Sequence, residues 1–439
     1  MTSSPWLVGK LSIAILIGLG LPVRIVAESP LSQQSATANP ASWSEFHGAH
    51  AQGFTADGSL PKRWSEDDYA WRHDTGDYNV GSPIVANNHV VFLASDVKKQ
   101  TIAVRALDLK TGQLAWQRPY PHHVTHLHSR NTAASSTAAA DATHIFCSWS
   151  DPEHTMLKCF DFDGNEIWSR DFGTWQSQHG FGTSPRIFGS LVILFNSQQG
   201  EQLKPGDTPG QSRMIAVDRN TGETVWETPL KTTRTCYGVP AIFQGKDGAA
   251  QVINANTGNG MFGLDAKTGE MLWSLPVFGA RCCSTPLVVG DLAIATAGSG
   301  GGGNHLVAVR IPQSKNEQPE QVYRIDRGSP YVPTPAKKGN RLFMVDDKGI
   351  ASCVDVTSGE TIWKERIGGN FGASPIIVDD TMLIISLDGK ATLLRASDSF
   401  EKLGQVDLGG PVGATPAYSN GRLLLRVGNE IRCLETSKG

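Results

Sequence analysis

The sequence has little net charge and no long hydrophobic run beyond its first 21 residues. Its 39 Lys and Arg against 42 Asp and Glu leave a formal charge of −3. This is neither the basic footprint of a nucleic-acid-binding protein nor a polybasic membrane patch. Residues 66–439 hold no sustained helical periodicity, no Gly-x-Ser-x-Gly motif and no Cys-x-x-Cys-His haem motif. We therefore expect no helical bundle, no nucleic-acid partner and no transmembrane span in this part of the chain.

The N-terminus has the pattern of a segment that directs export. Lys10 precedes an apolar stretch, Leu11 to Leu21, and the small residue Ala27 follows. About eleven apolar residues are too few to span a bilayer, so residues 1–27 are predicted to be a cleavable signal peptide. The alternative is an uncleaved interfacial anchor. The signal peptide predicts an exported protein, periplasmic or secreted, in which residues 28–65 form a linker and an N-terminal strap.

One phrase, Ala-x-Asp-x-x-Thr-Gly-x-x-x-Trp, recurs along the chain and indicates the fold. Complete and worn copies place an aromatic or apolar end residue at a mean spacing of about 47 residues, the length of a four-stranded propeller blade. A Ser/Thr-Pro dipeptide or a close variant opens each unit, and apolar strands follow it. The end positions are Trp71, Trp116, Trp168, Trp226, Trp273, Tyr323, Trp363 and Leu403.

The first and last copies of the phrase are incomplete in complementary ways. Trp71 has no first half upstream, and the C-terminal segment around Cys433 has a first half but no tryptophan. A strand at Trp71 would complete the blade that begins near residue 413, which closes the ring and abolishes the free sheet edge. Residues 66–439 are therefore predicted to form an all-β, eight-bladed β-propeller, closed by an N-terminal strand that joins the last blade.

The chemistry of the phrase is structural. Asp accepts backbone N–H bonds at the start of a turn and Gly supplies a positive φ, so together they make a tight hairpin. The aromatic residue then fills space between blades and buries roughly 150–250 Å². We interpret five aspartates as turn-formers rather than catalytic groups: Asp108, Asp161, Asp218, Asp265 and Asp355. We interpret six tryptophans as docking residues: Trp71, Trp116, Trp168, Trp226, Trp273 and Trp363.

The phrase resembles the tryptophan-docking repeat of pyrroloquinoline-quinone (PQQ)-type propellers, and the resemblance spans residues 66–439. The segment WSEFHGAHAQGF (43–54) is also similar to the leader of exported family members of unassigned role. The family contains PQQ- and calcium-dependent dehydrogenases. It also contains cofactor-free propellers, among them the assembly-factor lipoprotein of the β-barrel insertion machinery. The resemblance implies the fold, and it is compatible with both kinds of member.

We expect the cofactor-free kind: an exported, non-catalytic scaffold that binds a protein or polysaccharide partner of the cell envelope through its loop-rich face. The dehydrogenases need Glu, Asn and Asp oxygens that converge on calcium, and another Asp as base. None of these motifs can be placed on this sequence. The alternative function is a quinoprotein oxidoreductase of the alcohol or sugar dehydrogenase type, with PQQ and calcium as cofactors. A sensor or subunit of an envelope complex is the third hypothesis.

The adjacent residues Cys282 and Cys283 stand just before Pro286, where an innermost strand begins beside the channel. The pair resembles the disulfide ring that covers the quinone in PQQ alcohol dehydrogenases. Two other interpretations stay open: small packing residues, as at Cys236 one blade earlier, or a disulfide that is vicinal or joins Cys236 to Cys282. The candidates for cofactor binding at this mouth are Arg281, Cys282, Cys283, His128, Arg130 and Asn131.

A histidine-rich loop, PYPHHVTHLHSRN (119–131), is predicted to lie on the same face. Histidines at these spacings could share Zn²⁺ or Cu²⁺, so His122, His126 and His128 are candidate metal ligands. The alternative is a polar loop that lines the channel mouth. The glycine tract 298–305 lacks the Lys-Ser/Thr of a P-loop and is expected to be a flexible loop. Because the long loops of this face belong to the early blades, we expect a site on blades one to five.

Overall fold

The computed structural model describes residues 43–48, 51–124, 127–231, 233–314 and 316–436. These residues form eight antiparallel sheets of four strands, one of which gains a fifth, parallel strand. Their one helical element is the 3₁₀ turn Glu66–Asp68. None of their helices has the length and apolar character needed to cross a membrane. The predicted eight-bladed β-propeller is confirmed, while the predicted signal peptide lies outside the described residues.

Each blade consists of four strands, labelled a to d from the channel outward, and we number the blades in chain order from the first complete one. Blades one and two comprise β3 (Ile84–Ala86), β4 (His89–Asp96), β5 (Thr101–Asp108), β6 (Leu114–Pro121), β7 (Ala139–Ala140), β8 (Ile145–Ser150), β9 (Thr155–Phe160) and β10 (Glu166–Asp171). Blades three and four comprise β11 (Arg186–Phe188), β12 (Leu191–Asn196), β13 (Arg213–Asp218), β14 (Thr224–Pro229), β15 (Ala241–Gln244), β16 (Ala250–Asn256), β17 (Gly260–Asp265) and β18 (Met271–Leu275).

The second half of the ring repeats this arrangement and ends with the closing blade. Blades five and six comprise β19 (Leu287–Val289), β20 (Leu292–Ala297), β21 (His305–Arg310), β22 (Glu320–Ile325), β23 (Ala336–Lys338), β24 (Arg341–Val345), β25 (Ile350–Asp355) and β26 (Thr361–Arg366). Blade seven comprises β27 (Ile376–Val378), β28 (Thr381–Ile385), β29 (Lys390–Arg395) and β30 (Lys402–Asp407), and β1 (Phe54–Thr55) pairs with β27. Blade eight comprises β31 (Ala417–Ser419), β32 (Arg422–Val427), β33 (Glu430–Glu435) and β2 (Tyr69–Asp74).

Burial differs between the middle and the outer strands. Every residue of β8 and β12 is buried, because each blade is covered by a neighbour on both sides. In the outer strand β14 only Trp226 is buried, while Val225 and Glu227 on either side of it are exposed. This outer strand therefore inserts one side chain between blades and leaves most of its other residues exposed.

Each docking indole ties its blade to the next one. Trp71 Nε1 donates to Leu109 O at 3.0 Å, and the indole ring covers Gly112 in the same turn. A Cβ on Gly112 would lie 2.3 Å from that ring, so the glycine of the phrase leaves the space that the indole fills. The same N–H to carbonyl bond joins Trp116 to Phe162, Trp168 to Arg219, Trp226 to Ala266 and Trp363 to Ser397.

In blade five the Asp-x-x-Thr-Gly turn of the repeat is not preserved. The indole of blade four therefore contacts this blade through a second side chain. Trp273 Nε1 donates to Gln251 Oε1 of its own blade at 2.7 Å. Gln251 Nε2 in turn donates to Pro312 O of blade five, also at 2.7 Å. The glutamine side chain therefore bridges the indole and a turn carbonyl that lies beyond the reach of a direct bond.

Strands from the two ends of the chain close the ring. β2 pairs with β33 in antiparallel register, and Trp71 lies opposite Cys433. The thiol of Cys433 is buried at the position where Ala106 faces Trp116 in blade one. This is the predicted closure, and it gives the last blade the outer strand that its own sequence lacks.

Residues 43–48 and 51–59 lie along the channel-facing edges of the innermost strands. Their carbonyls accept N–H bonds from strands of four different blades. They therefore cover inner strand edges that would otherwise face channel water. The bonds join Trp43 O to Val85 N, Ser44 O to Ala140 N, Gln52 O to Lys337 N, Gly53 O to Ile377 N and Thr55 O to Asp379 N.

Candidate functional site

A cavity of about 600 Å³ lies on the channel axis. It opens at the face where strand d of one blade leads into strand a of the next. All eight of these connections contribute to its wall. The volume is in the range of small-molecule sites, which is roughly 300–1,000 Å³. This is the face on which the sequence predicts the long loops and the mouth of the channel.

A ring of eight residues at the blade starts lines the cavity, and we call it the collar. Seven of them are Ser or Thr, and each hydroxyl accepts the backbone N–H of the corresponding residue one blade earlier. The hydroxyl residue that opens a repeat therefore also forms a hydrogen bond between neighbouring blades near the axis. The bonds, 2.9–3.2 Å long, run from Ser82 to Thr137, Thr137 to Ser184, Val239 to Thr285, Thr285 to Thr334, Thr334 to Ser374, Ser374 to Thr415 and Thr415 to Ser82.

The residues two positions before the collar form a second ring in the cavity wall. Extended backbone returns every second side chain to the same side, so the spacing follows from strand geometry. Glycines occupy this position at blades three, seven and eight, whereas bulkier side chains occupy it at blades four to six. The eight residues are Val80, Ser135, Gly182, Tyr237, Cys283, Val332, Gly372 and Gly413.

Three arginines give the cavity its charge. Arg130, Arg234 and Arg281 line it, and no Asp or Glu side chain does so among the described residues. Arg281 is only 7% exposed, and its Nε donates to Thr235 O at 2.8 Å. A guanidinium group keeps its charge at every physiological pH and offers several N–H donors. The wall therefore complements anionic groups.

One carboxylate lies behind this wall. Asp347 Oδ1 is 3.4 Å from Arg130 Nη1, and its Oδ2 accepts the backbone N–H of Tyr331 at 2.7 Å. Burial raises the pKa of Asp347 above its ordinary value, although the backbone N–H donors and Arg130 act in the opposite direction. Asp347 thus restrains Arg130.

The cysteines near the cavity are thiols. Cys283 lines the cavity, but Cys282 does not, and its N–H donates to Cys236 Sγ at 3.4 Å. Burial raises the pKa of Cys283 to about 12 and that of Cys282 well above its ordinary range. Protonated thiols are weak nucleophiles and poor metal ligands, so neither residue is activated for chemistry at neutral pH.

The structure separates two of the three candidate metal ligands, His122 and His128. His128 lines the main cavity, with its ring centroid 4.7 Å from that of His179 in an edge-to-face arrangement. His122 is buried at a second, small cavity, where its Nε2 lies 3.2 Å from Ser150 O. His126 lies outside the described residues. Within the described residues no group of three or more His, Cys, Asp or Glu side chains is spaced to hold a metal ion.

Five of the six candidates for cofactor binding line the cavity: Arg281, Cys283, His128, Arg130 and Asn131. Asn131 holds its own loop together, because its Nδ2 donates to His179 O and Phe181 O. Sequence reasoning missed Arg234, Tyr237, His179, Tyr331 and Asp347. Tyr237 could have been predicted, because it stands two positions before a collar residue and extended backbone directs both side chains to the same side. Asp347 stands in a turn whose sequence has no repeated feature that would predict a place near the cavity. The glycine tract does reach the cavity, through Gly298 and Gly300.

The protein is an eight-bladed propeller with tryptophan docking between blades and a loop-walled cavity on its axis. The profile of a family described as "Outer membrane protein assembly factor BamB" matches residues 210–313 and 310–399. Taken with the repeat and the blade count, this match supports a PQQ-like repeat β-propeller family. No curated protein matches the chain.

Solved structures share the fold at low sequence identity. A europium-containing methanol dehydrogenase gives a TM-score of 0.62 at 14% identity, over 88% of this chain and 89% of that one. BamB from Moraxella catarrhalis gives 0.58 at 15%, over 84% and 99%. A quinohemoprotein alcohol dehydrogenase from Pseudomonas putida HK5 gives 0.58 at 14%, over 92% and 82%. At such identities the likeness shows the fold alone, which an assembly factor and dehydrogenases have in common.

Proposed function

We propose that the protein is an exported, non-catalytic binding propeller that captures an anionic group in its axial cavity. The observation that carries this proposal is the charge of the wall: three arginines and, among the described residues, no acidic side chain. The partner is a protein or polysaccharide of the cell envelope that presents such a group at the loop-rich face. A guanidinium fork matches carboxylate, sulfate and phosphate oxygens in geometry as well as in charge.

The alternative, a PQQ- and calcium-dependent dehydrogenase, is less well supported by these residues. Calcium takes six to eight oxygen ligands, with carboxylates prominent among them. The described lining offers arginines and hydroxyls, and the nearby Asp347 already accepts N–H bonds and pairs with Arg130. The residues present therefore do not fit calcium.

Titration calorimetry tests the proposal with two anionic probes, citrate and a sulfated disaccharide, and with maltose as an uncharged probe of similar size. Both anions are expected to bind and maltose is not. Arg281→Met is expected to weaken anion binding about 10- to 100-fold, as expected when a charged hydrogen-bond donor is lost. Arg310→Met is the matched control, because Arg310 pairs with Asp291 and does not line the cavity.

A second measurement separates the two functions. The protein incubated with PQQ and Ca²⁺ is expected to show no dye-linked oxidation of alcohols or sugars. Turnover in that assay would favour the dehydrogenase over the binding propeller. Equal affinity for citrate, the sulfated disaccharide and maltose would also count against the proposal, because charge would then play no part in binding.

A further inference from the structure

The collar hydroxyls keep a hydrogen-bond donor that the protein does not use. A Ser or Thr hydroxyl can donate one hydrogen bond and accept two. At Thr285, as at the other hydroxyl positions, an acceptor lone pair takes the N–H of the preceding blade's collar residue. Among the described residues, no carbonyl or side chain accepts a bond from any of the seven hydroxyls. Each hydroxyl proton is therefore left for a group inside the cavity.

These hydroxyls belong to buried residues. Thr334 is 1% exposed and Ser82, the most exposed of the set, is 5% exposed. A buried donor without an acceptor costs about 1–3 kcal/mol, so donors of this kind are normally satisfied. All seven line one cavity, and the three arginines at the same wall have donors and no acceptors. The site thus presents a marked excess of hydrogen-bond donors.

We propose that the collar binds the acidic head of the ligand, and that this head carries several carboxylate, sulfate or phosphate oxygens. This inference rests on the proposed function and adds two statements to it. The ligand is an oxygen-rich polyanion, such as a polycarboxylate or an acidic sugar, because ionised oxyanions accept hydrogen bonds and donate none. Its anionic head enters the channel as far as the collar rather than staying at the loops above.

One collar position provides a natural test. Val239 has no hydroxyl, so Ser184 N–H finds no side-chain acceptor in blade four and the ring is interrupted there. Val239 is buried and lines the same cavity as Thr285, its neighbour in the ring. Thr has nearly the shape of Val, so Val239→Thr adds one hydroxyl with little change in volume. It completes the ring and supplies an eighth donor.

The experiment compares three collar variants by calorimetry with citrate and the sulfated disaccharide. Val239→Thr is expected to tighten binding about 2- to 10-fold, as for one added hydrogen bond. Thr285→Val is expected to weaken it to a similar extent. Thr285→Ser keeps the hydroxyl and is the matched control, with unchanged affinity. The two probes distinguish a free polycarboxylate from an acidic sugar as the preferred source of the oxyanions.

Thermal unfolding of the same variants separates binding from a structural role. If Val239→Thr raises the melting temperature while affinity for both probes stays the same, the hydroxyls only fasten the blades, and the collar proposal is wrong. That result would leave the proposed function intact provided that Arg281→Met still weakens binding. If neither anion binds the parent protein at about 10 mM, both the collar proposal and the proposed function fail.

Discussion

Arg130 and Asp347 form an ion pair between the loop before blade two and a turn of blade six, with 3.4 Å between Nη1 and Oδ1. The arginine side chain is 38% exposed and the aspartate 9%, so the carboxylate is the more buried partner of the pair. A partly exposed ion pair of this kind contributes roughly 0.2–1 kcal/mol. Its greater effect is on function, because Asp347 offsets one of three positive charges that face the cavity.

Removing that carboxylate is expected to strengthen anion binding. Asp347→Asn retains an oxygen for the N–H of Tyr331 but no longer competes with the ligand for Arg130. Affinity for the sulfated disaccharide should rise about 2- to 5-fold, as measured by calorimetry. Asp326→Asn is the control, since Asp326 pairs with Arg324 on the exposed part of blade five. Weaker binding by the Asp347 variant would mean that the pair organises the loop for the ligand.

The pH dependence of binding provides the same test in the parent protein. Because the pKa of Asp347 is raised, its carboxyl begins to protonate at a higher pH than an ordinary aspartate. Anion affinity should therefore rise as pH falls from about 7 to about 4.5, where the sulfates stay ionised. The part of the pH dependence that is due to Asp347 is the difference between the parent and Asp347→Asn. Identical profiles for the two proteins would contradict this assignment.

The ring closure could be predicted from sequence, whereas the ion pair could not. Trp71 and Cys433 belong to repeats with a fixed spacing, so a missing half at one end identified its partner at the other. Arg130 and Asp347 are 217 positions apart and belong to no repeated motif. Asp347 stands in a minimal turn, and only the curvature of the closed ring brings it to the loop of blade two. Side chains that meet across the axis are therefore the part of the site that a linear pattern does not encode.

The glycine of the repeat is expected to matter more for packing than for backbone conformation. Gly112 has φ +69° and would place a Cβ 2.3 Å from the indole of Trp71. Gly76 has φ +85° and open space around it, so Gly76→Ala carries the backbone strain without the clash. Gly112→Ala should therefore lower the free energy of unfolding by about 1–3 kcal/mol more than Gly76→Ala. Urea denaturation of both variants checks this, and equal losses would show that the clash is relieved by movement of the indole.

Stability is expected to fall as the pH is lowered, in part because of His47 in the strap. Its side chain is fully buried, and burial lowers its pKa more than its two backbone carbonyl contacts raise it. The unfolded chain therefore takes up a proton near pH 6.5 while the folded protein does not, and stability declines below that pH. His47→Gln should reduce the difference in melting temperature between about pH 8 and about pH 5.5. His154, whose pKa is raised, acts in the opposite sense. The difference in melting temperature between the two pH values is therefore compared between the variant and the parent, and it is not expected to reach zero.

The path that the strap follows along the propeller could not be predicted from the sequence either. The leader around Trp43 was recognisable, and its position against the propeller was predicted. Its route along the inner strands depends on backbone carbonyls that any residue provides, as in the bond from Val85 N to Trp43 O. Because such bonds do not require particular side chains, the amino-acid sequence does not indicate where they form. The buried pair of Glu45 and Arg186 is the exception, because there the strap contributes a specific side chain.

That pair gives a test of how firmly the strap is held. Glu45 Oε1 lies 2.8 Å from Arg186 Nη1, with side-chain exposures of 15% and 6%. Glu45→Gln leaves a buried guanidinium without a charged partner, which should cost roughly 3–5 kcal/mol, whereas the double variant Glu45→Gln with Arg186→Met should recover much of that loss. Asp96→Asn is the matched control, because Asp96 and Lys99 form an exposed pair that should contribute little to stability. If the double variant is no more stable than Glu45→Gln alone, the loss comes from strap contacts other than the ion pair.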